Sequence, residues 1–214
     1  MATSISPLAK GIVSGHRRKT QDEVNDRSRL IAGGLAALGV KQGDSVGILM
    51  RNDIAFLEAA YAVMTLGAYA VPINWHFKSD EIAYVVGDSG ARVLIGHADL
   101  LHGFAGVVPA GVTLLSLTPP PEIVTTYRVD SALCSAAPGT IDFDGWLAKQ
   151  TPYDGPALPQ PQNMIYTSGT TGHPKGVKRY APTPEQTASM EAMRALIYGL
   201  KPGVRRSASD RAVA

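Results

Sequence analysis

The sequence predicts an α/β fold with a largely parallel sheet flanked by helices, and three observations predict it. Short apolar runs of strand length alternate with longer amphipathic segments between residues 20 and 95. The connections between them are only a few residues long and carry glycine, asparagine or aspartate. The apolar runs are apolar throughout rather than at every second residue, as in strands buried on both faces.

The elements follow in order. Thr20 and Glu23 have capping-box spacing, in which each side chain satisfies an otherwise orphaned amide of the first helical turn. Val24, Ser28, Ile31, Leu35 and Leu38 then fall on one helical face, and Gly39 offers a left-handed stop. A Lys41-Gln42-Gly43-Asp44 turn feeds a strand from Val46 to Met50. Asn52 or Asp53 caps a helix from Ile54 to Leu66, Gly67 ends it, and a strand from Ala68 to Pro72 follows. Residues 54–73 carry only Glu58 as a charge over nearly the length of a membrane-spanning helix. Gly67 and Pro72 interrupt that stretch, so a buried helix plus a strand is expected, with no integral membrane span. Ser79 caps a helix from Asp80 to Val86, and Arg92 to Ile95 forms a third strand.

Between Gly103 and Pro161 the periodicity weakens. Val112 to Leu117 reads as a strand and Phe143 to Gln150 as a short helix. Pro119-Pro120-Pro121 and the later prolines make the rest of this region read as connection. Thr183-Pro184-Glu185-Gln186 repeats the capping-box spacing and starts a last helix reaching about Leu200. The polar run 201–214 is expected to be a disordered tail. Residues 1–19 are a lead, and the cluster His16-Arg17-Arg18-Lys19 is expected to be a solvated approach to the first helix.

Composition excludes several function classes. Twenty Lys and Arg against 18 Asp and Glu leave a net charge of +2, too balanced for nucleic-acid binding through counterion release. The 22 glycines and 15 prolines in 214 residues fall short of the roughly 25–30% that marks low complexity. The single cysteine, Cys134, allows no internal disulfide and suits a reducing compartment. With no secretory signal at the start, a cytoplasmic protein is expected. The five histidines show no metal-ligand spacing, so no metal site is expected in the chain itself.

Chemistry concentrates in Tyr166 to Val177, YTSGTTGHPKGV. An apolar lead-in, Met164-Ile165-Tyr166, suits a strand delivering a loop to the edge of the sheet. The loop holds Gly169, Gly172 and Gly176, the hydroxyls of Thr167, Ser168, Thr170 and Thr171, and Lys175. Glycines let backbone amides approach an anion and form a nest, hydroxyls add neutral donors, and lysine adds a point charge suited to phosphate. These are the parts of a polyphosphate cradle. It is not a Walker loop: counting from Gly169, the second required glycine falls on Pro174, and Lys175 is followed by Gly176 rather than Ser or Thr. No G-x-G-x-x-G fingerprint is present in it either.

The run from Thr167 to Gly176 resembles the phosphate-loop signature of adenylate-forming enzymes, which include acyl-CoA synthetases, luciferases and the adenylation domains of peptide synthetases. Residues 20–49 and 66–95 are similar to that family's opening blocks, and Val71-Pro72-Ile73-Asn74 resembles acyl-CoA ligases more than amino-acid-activating domains. The resemblance implies ATP-dependent activation of a carboxylic acid as an acyl-adenylate, followed by transfer to coenzyme A. ATP with Mg2+ and the acid are the implied partners. It implies that Thr167, Ser168, Gly169, Thr170, Thr171, Gly172, Lys175 and Gly176 bind the nucleotide, with Thr170 and Lys175 stabilising phosphate during the reaction.

The same resemblance implies that residues 20–200 are part of an AMP-binding domain. The family's later adenine- and ribose-binding segments, its C-terminal lid domain and the lid's lysine have no counterpart in these 214 residues. A truncated ligase that is inactive alone is therefore expected. Its alternatives are a non-catalytic nucleotide- or phosphate-binding module, a remnant without function, and one half of a pair completed by a separately encoded C-terminal half.

Overall fold

A computed structural model of the chain describes residues 11–156, 158–159, 161, 163–167, 174–179 and 182–197. It opens with an antiparallel hairpin, β1 (Gly11–Ser14) and β2 (Arg17–Thr20), which no periodicity in the first residues announces. Within the basic cluster His16 and Arg18 are exposed, but Arg17 and Lys19 turn toward the body. Arg17 Nε donates to Glu122 Oε1 at 2.7 Å, and Lys19 Nζ lies 2.6 Å from Glu58 Oε1. The hairpin is basic because the acids beneath it are buried, and a buried carboxylate needs a partner.

Helix α1 (Gln21–Ala37) begins with the expected capping box: Glu23 N donates to Thr20 Oγ1, and Thr20 N donates to the Glu23 carboxylate at 2.7 Å. The bonds from the Thr20 backbone and hydroxyl hold the Glu23 carboxyl below the usual range. Val24, Ser28, Ile31 and Leu35 are buried, and Gly39 takes φ +86°. Strand β3 (Ser45–Leu49) and helix α2 (Ile54–Thr65) follow, the latter capped by Asp53, whose carboxylate accepts from Phe56 N at 2.9 Å. Next come β4 (Tyr69–Pro72), α3 (Ser79–Ser89) and β5 (Ala91–His97). The cap of α3 is Lys78 rather than Ser79, with Lys78 N donating to Glu81 Oε2 at 2.8 Å. Residues 54–73 thus divide as expected, and among the described residues no helix is long and apolar enough to cross a membrane.

The stretch that reads as connection holds more structure than expected. Ahead of it lies α4 (Ala98–Phe104); within it the expected strand and short helix appear as β6 (Thr113–Leu117) and α6 (Phe143–Leu147), and between them stand α5 (Pro121–Tyr127) and β7 (Ile141–Asp142), which the sequence does not announce. At seven and two residues, α5 and β7 leave little periodicity to read. The proline run starts α5 rather than preventing it, because Pro121 sits at the first helical position, where the missing N–H costs nothing.

The central sheet has the order β4-β3-β5-β6-β7, and every pairing in it is parallel. In chain order this is the doubly wound 2-1-3-4-5 arrangement. Side chains alternate between two cores. Val46, Ile48, Val93 and Ile95 meet α1, α2 and α6 on one face, while Leu49, Val71 and Leu94 meet α3 and α4 on the other. Strand order reverses between β3 and β5, where such sheets open a crevice at their carboxyl ends.

Candidate functional site

The expected loop hangs on a hairpin. Met164 N donates to Ala70 O at 3.0 Å, joining the chain to edge strand β4. Beyond that bond β8 (Ile165–Thr167) leaves the main sheet and pairs antiparallel with β9 (Lys175–Val177) as a separate two-stranded sheet. The register sets Thr167 opposite Lys175 and Tyr166 opposite Gly176. Ser168, Gly169, Thr170, Thr171 and Gly172 lie outside the described residues, as does His173. Thr167, Lys175 and Gly176 are described and exposed. Lys175 has no carboxylate partner among the described residues. The two residues therefore face each other across the ends of the turn, both exposed.

Contacts among the described residues seat this hairpin on the body, three of them polar or cation–π. Besides the Met164 bond, Lys178 Nζ lies 5.5 Å from the centre of the Tyr69 ring. The third contact is Tyr166, only 9% exposed, whose hydroxyl donates to Asp88 Oδ2 on α3 at 2.6 Å. Burial first, then the Asp88 acceptor and its charge, push the Tyr166 phenol far above its usual value and keep it a donor. Gly176 is what lets the ring cross the hairpin: a Cβ there would lie 2.5 Å from Tyr166 Cζ. Tyr166 appears in the sequence as an apolar lead-in, and nothing local marks Asp88 as its partner.

The reversal point of the sheet carries a second polar group. Arg51, just past β3, forms an ion pair with Asp99 at 2.7 Å, both side chains more than nine-tenths buried. Its guanidinium lies 5.0 Å from the Trp75 ring and 4.7 Å from the Tyr127 ring. Trp75 and Phe77 thus serve packing, as does Tyr84, each set against the apolar core. Arg51 N donates to His97 Nδ1 at 3.3 Å, which leaves the proton of a neutral ring on Nε2, 3.8 Å from Asp53 Oδ2. Burial raises the Asp53 carboxyl, but His97, the Phe56 amide and the Arg17 charge outweigh it and leave the group below its ordinary value.

Beside this point lies a polar cleft of about 130 Å³ lined by Arg17, Lys19, Arg27, Asp53, Glu58 and Asp144. Three cations would suit a phosphate, yet each is already matched. Arg17 pairs with Asp53 and Glu122, Lys19 with Glu58, and Arg27 with Glu58 at 3.1 Å and Asp144 at 2.7 Å. The cations of this cleft are thus neutralised within the fold, whereas Lys175 is exposed and has no carboxylate partner among the described residues. Among the described residues no three His, Cys, Asp or Glu side chains gather closely enough to hold a metal ion.

A family model described as AMP-binding enzyme matches residues 6–193. The chain is 32% identical over 180 residues to a long-chain-fatty-acid–CoA ligase of Mycobacterium tuberculosis, a match covering 81% of this chain and 32% of that protein. It is 31% identical over 176 residues to a 2-succinylbenzoate–CoA ligase of Geobacillus kaustophilus, covering 81% of this chain and 30% of that one. Among solved structures, an anthranilate CoA ligase in complex with anthranoyl-AMP aligns with a TM-score of 0.66 at 25% identity, over 88% of this chain and 33% of that one. The chain spans about a third of the length of the curated relatives it matches.

Proposed function

The chain belongs to the AMP-binding enzyme family, and on that premise we propose that it holds the outer phosphates of ATP while a carboxylic acid is activated as an acyl-adenylate. The observation that carries this reading is the β8–β9 hairpin, which sets an exposed Lys175, without a carboxylate partner among the described residues, opposite Thr167 at the ends of a glycine- and hydroxyl-rich stretch. In the reaction a carboxylate oxygen bonds to the α-phosphorus, and the bond from that phosphorus to the bridging oxygen of pyrophosphate breaks. Negative charge grows on the leaving pyrophosphate, and donors already aimed at it stabilise that charge best. Lys175 supplies the cation. Ser168, Thr170 and Thr171 supply hydroxyls, and Gly169 and Gly172 let backbone amides come close.

Coenzyme A is the proposed thiol acceptor, displacing AMP in a second step. Mg2+ is proposed to accompany the nucleotide. Relatives named for unlike acids, a long-chain fatty acid and 2-succinylbenzoate, match this stretch about equally. The proposal therefore extends to the carboxylic acid class and not to one acid.

Titration of the chain with pyrophosphate and with Mg-ATP tests the proposal. Binding is expected, and Lys175→Ala is expected to weaken it at least about tenfold, the scale of one charge-assisted hydrogen bond. A folded wild-type chain that binds neither ligand at millimolar concentration overturns it.

A further inference from the structure

We propose that Tyr166 and Asp88 are positioning residues for Lys175: their hydrogen bond holds the β8–β9 hairpin on α3 and so fixes where Lys175 stands. The inference rests on the function proposed above and adds to it two residues outside the turn, one of them 78 positions earlier in the chain.

The hairpin cannot hold itself. Each strand is three residues long, and a two-stranded ribbon of that size is at best marginally stable in water. Its seat therefore depends on its attachments. The Met164 bond lies before the first paired residue, and the Lys178 contact lies after the last one. Tyr166 is attached from inside the paired region, one residue from the Thr167–Lys175 pair. Its ring passes so close to Gly176 that no Cβ fits there, which couples the phenol to both strands at once.

Asp88 makes sense in this role and poor sense without it. It stands in the last turn of α3 (Ser79–Ser89), where the helix dipole disfavours a negative charge. Stability of the helix does not account for an acid there, whereas accepting the Tyr166 hydroxyl at 2.6 Å does. The buried phenol, its ionisation pushed up by burial and by that acceptor, stays a donor throughout the range in which the protein is handled.

Three variants of the whole chain decide the matter: Tyr166→Phe, Asp88→Ala and Asp88→Asn. Each is read by thermal melting, by amide exchange at Gly176 and Val177, and by pyrophosphate affinity. Tyr166→Phe and Asp88→Ala are expected to melt within a few degrees of wild type, to exchange about tenfold faster at the hairpin amides, and to bind pyrophosphate about tenfold more weakly. Asp88→Asn, whose amide oxygen still accepts the hydroxyl, is expected to return both readouts to within about twofold of wild type. The sign of the Asp88→Ala effect is itself diagnostic, because removing a negative charge near an anion site would strengthen binding if Coulomb attraction alone were at work. Tyr166→Phe binding and exchanging like wild type overturns the clamp, as does Asp88→Asn behaving like Asp88→Ala. Failure of the wild-type chain to bind pyrophosphate overturns the phosphate reading instead, and the exchange rates still report whether the clamp exists.

Discussion

At Gly176 one missing methyl group decides whether the Tyr166 ring can lie across the hairpin. An added Cβ would come 2.5 Å from Cζ and 2.8 Å from the phenolic oxygen, so the ring must leave its seat or the strands must part. Gly176→Ala is therefore expected to cost about 1–3 kcal/mol in a urea titration, the usual scale of overpacking. It is also expected to weaken pyrophosphate binding in parallel with Tyr166→Phe. Gly176 lies within the residues whose spacing announces the turn, but the reason for a glycine there differs from the one the sequence offers. In the sequence it reads as a residue whose backbone can approach phosphate. In the fold it is the residue on which an aromatic ring lies. Lys175 shows the opposite case: its proposed role follows from its chemistry and its neighbours in the chain, and the structure adds its exposure and the absence of a carboxylate partner among the described residues.

Among the elements, the β1–β2 hairpin departs furthest from sequence expectation. Arg17 and Lys19 bind Asp53, Glu58 and Glu122, all distant in sequence and drawn from α2, its cap and α5. Glu58 is buried, with its side chain only 2% exposed between Lys19 and Arg27. Burial pushes its carboxyl above the usual value despite the pull of those two cations. A carboxyl whose pKa is higher folded than unfolded binds more protons in the folded state. Its contribution to stability is then fully present below the unfolded value of about 4.3 and is lost as pH rises through the folded one. Glu58→Gln removes this titration, so its unfolding free energy is expected to decline less steeply than that of wild type from about pH 4.3 toward neutrality. Urea titrations at a series of pH values measure the difference. Asp53 carries the opposite sign. Its lowered carboxyl stabilises the fold above about pH 3.9, and that stability is lost as pH falls through the folded value.

Across the whole molecule, the carboxyl edge of the sheet is tied together through Arg51. It joins the end of β3 to Asp99 at the start of α4, to Trp75 beyond β4 and to Tyr127 at the end of α5. Removing one partner of a buried pair leaves the other charged and unmatched, which costs about 3–5 kcal/mol. Arg51→Met, which keeps much of the apolar stem between the two rings, is expected to lose that amount in chemical denaturation. Arg51→Met with Asp99→Asn is expected to recover part of it, because the orphaned charge is gone.

What the sequence determined by itself is whatever depends on neighbours along the chain. The capping box at Thr20 and Glu23, the left-handed stop at Gly39, the split at Gly67 and the parallel α/β class all arise within a few residues, and periodicity or a short motif records them. The hairpin register that sets Thr167 opposite Lys175 brackets a run whose proposed donors are consecutive in the sequence. Only the tertiary structure decided the order of the strands, the inward turn of Arg17 and Lys19, and the grip of Asp88 on Tyr166. Those contacts join residues 36 to 105 positions apart. Such pairs leave no mark on local periodicity, because it is burial in the folded chain that makes a charge or a hydroxyl require that particular partner.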